Sequence, residues 1–554
     1  MATLQDIQRE AFRVVSRLGY GRAALDSYHG LVGAPHLEHL EGVDDESRSY
    51  ELAPGDVRGD AVFPIVPGNV GIVYRACILA HAFETRGYEP LMIRCDGSLD
   101  ICPHKSVERN DCYMSDLCQV NSETTVDAFG LRSTSVGEFL PEGYEPPSVP
   151  PDPSHSFEYR GVPVSDFARA STRKYFRKHT LELGDPEERS VYERFLRSAF
   201  TLVDAYERVY DRYDVAATVA NEVVYVPGGV ALSVADAHDV PAYSIDAGFR
   251  EETLMFGQSD NRNPQPQFSD EAAVRAFLSR PLTDRQRRHI EDLMGTREDG
   301  GETIHQYSSR EKRSIDRREE PTVGVFTNLI WDASLEIDDE DFPFVEVFDW
   351  IDTTIDHLSG RDDVSLVVKT HPAESVRGTN ERVADRIEER FAPLASNVRL
   401  LPPETDVNTY ELIDDLNVGV VYNSTVGLEM AYHGIPVVVG GDTHYRELGF
   451  TYDPETKADY LALLEEFETL SMDEEMRERA RRYAYWVFVH QNVDFPYISV
   501  NDTFVDFEYR PVNHDELTPG NEVFDWIVDR MLENEPIVRC PDRAPYSDDR
   551  PEVT

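Results

Sequence analysis

Short apolar runs alternate with amphipathic segments along most of the chain, most cleanly in its second half. From Pro321 onward, runs at 323–327, 364–369, 398–401, 418–422 and 436–439 have the length of buried strands. Helical spacing fills the intervals at 344–358, 382–391, 408–415 and 425–432. The first half repeats the pattern less regularly. There, 61–66 reads as a strand, 67–71 as a glycine turn, 72–85 as a helix and 90–94 as the next strand. Long helices follow over 165–210, then a strand at 215–220, a helix opened by Pro227-Gly228-Gly229, and a strand at 242–245. Apolar strands separated by helices predict parallel sheets covered on both faces. The fold class expected is α/β, with two Rossmann-like domains facing each other across a cleft. Residues 1–290 form the first domain, 291–320 a charged linker and 321–480 the second domain. Residues 481–554 pack back on the first domain.

Composition narrows the function classes. The 554 residues carry 54 Lys+Arg against 104 Asp+Glu, a formal charge of −50. Such a surface repels the phosphate backbone, which excludes nucleic acid as a partner. Only six of the basic residues are lysine: Lys105, Lys174, Lys178, Lys312, Lys369 and Lys457. An acidic, lysine-poor surface fits a halophile cytosol, where salt screens the self-repulsion. No apolar run reaches the roughly 18 residues that span a bilayer, and the start lacks the pattern of a signal peptide. A cytoplasmic protein is expected. Six cysteines in this length do not make a disulfide framework.

Ligands of open parallel sheets bind at the carboxyl ends of the strands. In the second domain those ends carry Thr327-Asn328-Leu329, Lys369-Thr370-His371-Pro372, Asn423-Ser424-Thr425 and Gly440-Gly441-Asp442. The set suits a phosphorylated ligand. Lys369 supplies a point charge, His371 a hydrogen bond or a proton, and Ser424 and Thr425 hydroxyls where a helix begins. Gly427 allows close approach, and Glu429 lies one turn further along. The donor-binding candidates are Lys369, His371, Pro372, Asn423, Ser424, Thr425, Glu429 and Gly441. Each alone has a plain structural reading, Ser424 as a helix cap and His371-Pro372 as a turn leaving a strand. Their joint occurrence at strand ends favours the site.

The segments VVKTHPAES and VVYNSTVGLEMAYHGIPVVVGGDTHYRELGFTYDP resemble the capsule polysaccharide biosynthesis family, which includes bacterial Kdo transferases. VGVFTNLIWDAS is similar to that family's opening strand of the nucleotide domain, and FPIVPGNVG and VPAYSIDAGFREETLMFG carry a weaker likeness. The resemblance implies a GT-B fold and transfer of a sugar from a nucleotide-activated donor to a glycan. It implies that His371-Pro372 and Ser424-Thr425 hold the donor phosphate, with Ser-Thr standing where paired serines are common. No cofactor is required, since the nucleotide sugar is itself a substrate. The alternatives are a polyol-phosphate (CDP-glycerol-type) transferase and a non-catalytic nucleotide-sugar-binding protein.

An inverting transferase needs a base to deprotonate the acceptor hydroxyl. Asp96 and Asp246 follow strands of the first domain and are the catalytic candidates there, together with His371 across the cleft. Gly68, Asn69, Arg173 and Arg177 are the acceptor-side candidates. Arg169, Arg173 and Arg177 recur at helical spacing, a basic face for internal acids or for a lipid-linked acceptor at the inner membrane surface. Cys95, Cys102, Cys112 and Cys118 cluster without a standard metal-ligand spacing. They are read as structural thiols, with a metal site as the weaker possibility.

Overall fold

The computed structural model describes residues 15, 16, 20, 22–25, 27, 35–64, 69–105, 112–150, 155–259, 268, 271–299, 315, 318–332, 342–500 and 507–538. Its strands in the first half are β1 (Gly59–Pro64), β2 (Tyr88–Arg94), β3 (Ser133–Ser135), β4 (Val215–Ala220), β5 (Ala242–Ala247) and β6 (Thr253–Gln258). The second half contributes β7 (Thr322–Phe326), β8 (Ser365–Lys369), β9 (Val398–Leu401), β10 (Val418–Val421) and β11 (Val437–Val439). The tail adds β12 (Val493–Asp494), β13 (Ile498–Val500) and β14 (Phe507–Tyr509). One sheet has the order β12-β6-β5-β4-β1-β2-β3 and another β11-β10-β7-β8-β9. The second is parallel throughout. In the first, β3 to β5 run parallel, while β6 and β12 are antiparallel additions at one edge. These are two Rossmann-like αβα domains.

Helices cover both faces of each sheet, as near-continuous apolar strands require. The helices Val164–Phe176, Pro186–Arg212 and Val226–Ala237 pack on one face of the first sheet. The helix Val70–Glu84 packs on the other, under Phe495, Val512, Phe524 and Ile527 of the tail. The tail also extends the sheet itself, because Val493 pairs with Leu254.

Two boundaries differ from the sequence reading: residues 483–489, expected to pack back on the first domain, lie in the core of the second, and so do two helices before β7. The sequence reading divides the helices Glu271–Leu278 and Asp284–Glu298 between the first domain and the linker. Instead Val274, Phe277, Ile290 and Met294 bury their apolar faces against Leu428, Tyr485 and Trp486, in the core of the second domain. Only one side of each helix is apolar, and the charged residues of 280–299 other than Arg297 face outward or lie part-exposed, which gives the stretch its linker-like appearance.

The two domains touch directly. Glu381 accepts hydrogen bonds from the backbone N–H groups of His179 and Thr180 at 2.9 and 2.8 Å, and from the Thr180 hydroxyl at 2.7 Å. Asn380 donates to the Phe176 carbonyl at 2.8 Å. The His179 ring lies between the Ile330 carbonyl (3.1 Å) and Glu346 (2.8 Å). Arg169 and Arg173 help hold the Glu346 carboxyl below its usual range, after the larger effect of His179. The arginine face of this helix therefore turns toward the other domain.

Candidate active site

In each sheet the strand order reverses at one point, between β1 and β4 in the first and between β7 and β10 in the second. Crevices form outside the carboxyl ends of strands at such points. The two crevices open onto one cleft with a volume of about 890 Å³ between the domains.

On the second domain's side, the cleft is lined by Thr327, Asn328, Lys369, His371, Pro372, Asn423, Ser424, Thr425 and Glu429. Asn328, after β7, donates to Asn423, after β10, at 2.6 Å, so the two switch-point turns are tied together. The Thr327 hydroxyl and the Asn328 side-chain oxygen are buried without a hydrogen-bond partner. Lys369 is 4% exposed, and its ammonium reaches only the Val407 carbonyl at 3.4 Å. Burial lowers its pKa to about 8. His371 Nδ1 accepts the backbone N–H of Ala373 at 3.1 Å, which puts the ring proton of the neutral imidazole on Nε2. Burial, and to a lesser extent Lys369, push its pKa down to about 4. His371 is thus a neutral hydrogen-bond donor at pH 7, and the proton-source role expected for it loses its basis.

Two second-domain expectations change. Gly441 lies outside the cleft lining: a Cβ there would meet the Tyr422 ring at 2.9 Å, so this glycine serves packing. Gly427 gives close approach to Tyr445 rather than to a ligand. A Cβ would stand 2.2 Å from the Tyr445 hydroxyl, which donates to the Ser424 carbonyl at 2.6 Å and fixes that turn. Glu429 is tied to Arg297 at 2.7 Å, both nearly fully buried, and the guanidinium lies 4.6 Å from the centre of the Phe488 ring.

On the first domain's side, Asn69, Arg75, His104, Lys105, Lys174, Arg177, Asn221, Glu222 and Asp246 line the cleft. Asp246, at the end of β5, has its pKa raised to about 6 by burial; Arg75 pulls it down and Glu222 pushes it up. Arg75 is 7% exposed on the helix Val70–Glu84. Glu222 accepts from Lys174 at 2.7 Å and His104 at 3.0 Å. Burial opposes its ionisation, yet Lys174 and the His104 ring hold its carboxyl far below the usual range. The turn carrying Asn221 and Glu222 is pressed onto the helix Val226–Ala237. A Cβ on Gly228 would stand 2.1 Å from the Asn221 carbonyl, which explains the Pro-Gly-Gly start of that helix.

The remaining first-domain candidates divide. Asp96 does not line the cleft. It is exposed and accepts the backbone N–H groups of Ser98 and Gly137, both at 3.1 Å, as a loop cap. The strand ending at Arg94 stands as near the switch point as β5 does, and it is the loop caps made by Asp96 that hold its carboxylate away from the cleft. Asn69 lines the cleft, but its side-chain oxygen caps the helix by accepting from Gly71 and Ile72. Gly68 lies outside the described residues. Arg177 lines the cleft and reaches the Gly378 carbonyl at 3.4 Å, whereas Arg173 sits beside Glu346 outside it. Burial pushes the Cys95 thiol up to about 11 and raises that of Cys102. Cys118 is in no disulfide among the described residues, and the Cys112 side chain lies outside the described ones. Among the described residues no three His, Cys, Asp or Glu are placed to hold a metal.

Sequence reasoning had not selected Arg75, Asn221, Arg297 or His444 as site residues. Arg75 and Arg297 sit inside helices with no local signature, and only the tertiary fold brings them to the cleft.

Residues 352–473 match the family described as capsule polysaccharide biosynthesis protein. The matched segment contains His371, Asn423, Ser424, Thr425 and Glu429. No curated protein matches the chain. Among solved structures, a Thermosulfurimonas dismutans KpsC, beta Kdo 2,4 transferase, is similar at 15% identity over 58% of this chain and 88% of its own, with a TM-score of 0.35. The KpsC beta Kdo 2,7 transferase of the same organism is similar at 13% identity over 50% and 79%, with a TM-score of 0.30. The calicheamicin glycosyltransferase CalG4 is similar at 13% identity over 78% and 94%, with a TM-score of 0.26. No described helix is long and apolar enough to cross a membrane.

Proposed function

We propose that the chain is a glycosyltransferase of surface-polysaccharide or glycan assembly, moving a sugar from a nucleotide-activated donor to an acceptor hydroxyl in the cleft. One observation carries this reading. In a chain of charge −50, the described residues lining the cleft include seven Arg or Lys (Arg75, Lys105, Lys174, Arg177, Arg297, Lys369, Arg377) against four Asp or Glu (Glu222, Asp246, Asp332, Glu429). Three of the six lysines in the chain are among them. A protein that otherwise repels anions has gathered cations in one interdomain crevice, as a diphosphate or sugar phosphate requires. The family match over 352–473 supports the same assignment.

In this reading the donor phosphates lie against Lys369, His371 Nε2 and the turn Asn423–Thr425, beside the unpaired Thr327 hydroxyl. The ammonium and the imidazole N–H offset charge on the departing nucleotide. Asp246, in the opposite wall, accepts the acceptor proton, and its raised pKa suits a base working near neutrality. Arg75 supplies the counter-charge that keeps Asp246 ionised. The acceptor is a glycan, free or lipid-linked, and the protein works in the cytoplasm, at the inner membrane face where the acceptor is lipid-linked. A panel of nucleotide sugars tested by thermal shift in high salt, followed by assay of released nucleotide, checks the proposal. Stabilisation by one donor family, with nucleotide release dependent on Asp246, is expected. Absence of stabilisation by every nucleotide sugar, at concentrations up to millimolar, refutes it.

A further inference from the structure

His444 lies in the loop after β11 and also lines the cleft. Its protonation pattern follows from two distances. The Tyr483 hydroxyl stands 2.6 Å from the His444 carbonyl oxygen, which can only accept, so the single phenolic proton points there. The same hydroxyl is 2.7 Å from His444 Nδ1. With its proton committed, the hydroxyl accepts at that contact, so Nδ1 carries the ring hydrogen and donates it. Burial holds the ring neutral, lowering its pKa to about 3. Nε2 is then a bare lone pair, and it is buried with no hydrogen-bond partner.

The surroundings are flat and aromatic. The Phe268 ring stacks on the imidazole with centroids 3.9 Å apart and planes 11° from parallel. Phe249 and Tyr410 also line the cleft, with Tyr410 against the paired Glu429 and Arg297. A buried acceptor beside aromatic faces calls for a planar ligand with an N–H on its edge. Resting on the donor-site reading above, we propose that His444 Nε2 reads the base of the donor nucleotide by accepting a base N–H. His444 thereby sets which nucleotides the cleft takes, while Lys369 and His371 bind the phosphates whatever the base.

The test measures binding of CMP, UMP, AMP, GMP and inorganic pyrophosphate to the full chain by calorimetry in high salt. His444→Phe keeps a ring against Phe268 and removes the acceptor; His444→Gln restores one. The expected result is about a tenfold loss of affinity for the preferred nucleotide in His444→Phe. Pyrophosphate affinity should be unchanged and His444→Gln should recover part of the loss. In the wild type, blocking the N–H of the preferred base with an N-methyl group should cost about the same factor. In His444→Phe the same methyl should cost nothing further. That probe needs no variant in its first arm, so a poorly folding variant does not shield the proposal. Equal nucleotide affinity in wild type and His444→Phe overturns it, as does indifference of the wild type to the N-methyl group. Loss of pyrophosphate and nucleotide binding together in His444→Phe also overturns it, since it shows a structural role. If neither pyrophosphate nor any nucleotide binds the wild type, the donor-site reading itself fails. If Lys369→Ala weakens nucleotide binding and His444→Phe does not, only the base-reading role fails.

Discussion

The opposing walls of the cleft carry two groups whose perturbed pKa values predict a bell-shaped pH profile. Asp246, raised to about 6 chiefly by burial, must be ionised to accept a proton. Lys369, lowered to about 8 by burial, must be protonated to hold a phosphate. The profile of kcat/KM reports groups of the free enzyme. It should rise about tenfold per pH unit up to about 6, stay level, and fall above about 8. The alkaline fall levels off once Lys369 is neutral, about tenfold to a hundredfold down, because one charged contact is worth about 1.5–3 kcal/mol. His371, held neutral with a pKa near 4, adds no limb in this window. Lys369→Arg keeps the charge to high pH and should erase the alkaline limb. Asp246→Asn should abolish transfer yet stabilise the fold. With its folded pKa above the unfolded value, Asp246 binds more protons when folded between about pH 4 and 6, so stability falls as pH rises through that window. At pH 7 the ionised group costs up to about 3 kcal/mol, which the amide removes. Nucleotide release across pH 4.5–10, paired with thermal melts, checks both. A flat rate from pH 5 to 7, an alkaline limb surviving in Lys369→Arg, or an active Asp246→Asn variant refutes the assignment.

His371→Ala should weaken donor binding about tenfold to a hundredfold with an unchanged circular dichroism spectrum, because Nε2–H to a phosphate oxygen is a hydrogen bond to a charged group. Ser424→Ala should cost less, since the Tyr445 contact that shapes its turn uses the Ser424 backbone carbonyl; calorimetric titration with donor ranks the two. Arg297→Met should leave Glu429 buried without its counter-ion and destabilise by about 3–5 kcal/mol, with Arg297→Met/Glu429→Met recovering most of it in denaturant titration. Glu381→Ala removes three hydrogen bonds that join the domains. It should speed proteolysis between the domains and raise the donor KM several-fold, and an unchanged cleavage rate would count against that contact as a latch.

Much of this architecture is written in the chain, and the exceptions have identifiable causes. The runs 323–327 and 418–422 became interior strands and 436–439 the edge strand β11, each buried on both faces as strands of a covered parallel sheet are, so apolarity is continuous and easy to see. The strand-end rule then led to Lys369, His371 and Asn423–Thr425, which do share one cleft. It worked at Asp246 and failed at Asp96, although their strands stand equally far from the switch point, because it does not say whether the loop after a strand takes up the carboxylate itself, as Ser98 and Gly137 do at Asp96. Gly441 and Gly427 show a second gap: a glycine beside a site clears space for Tyr422 or Tyr445 as readily as for a ligand. Arg75, Arg297 and His444 were illegible for a third reason. Each sits where local sequence has only a helix or loop to report, and its meaning comes from partners that are distant in the chain.

The net charge and the cleft charge belong to one physical argument. In molar salt the Debye length shrinks to about 3 Å, so the acidic surface neither repels an incoming nucleotide nor steers it. Direct contacts inside a low-dielectric crevice are screened far less. Lys369 and Arg75 are nearly enclosed, and Glu222 is held by Lys174 and His104 at hydrogen-bond distance. Donor binding should therefore depend on buried contacts that salt leaves intact, and association should gain nothing from long-range attraction. Raising salt within the range where the protein stays folded should leave the dissociation constant of the donor within about threefold, a change in binding free energy below about 1 kcal/mol. A surface-dominated site making several phosphate contacts would lose orders of magnitude over the same range. Stopped-flow and calorimetric titrations across salt distinguish the two. A steep fall in affinity would move the anion site out of the cleft and onto the surface, and with it the roles given to Lys369 and His371.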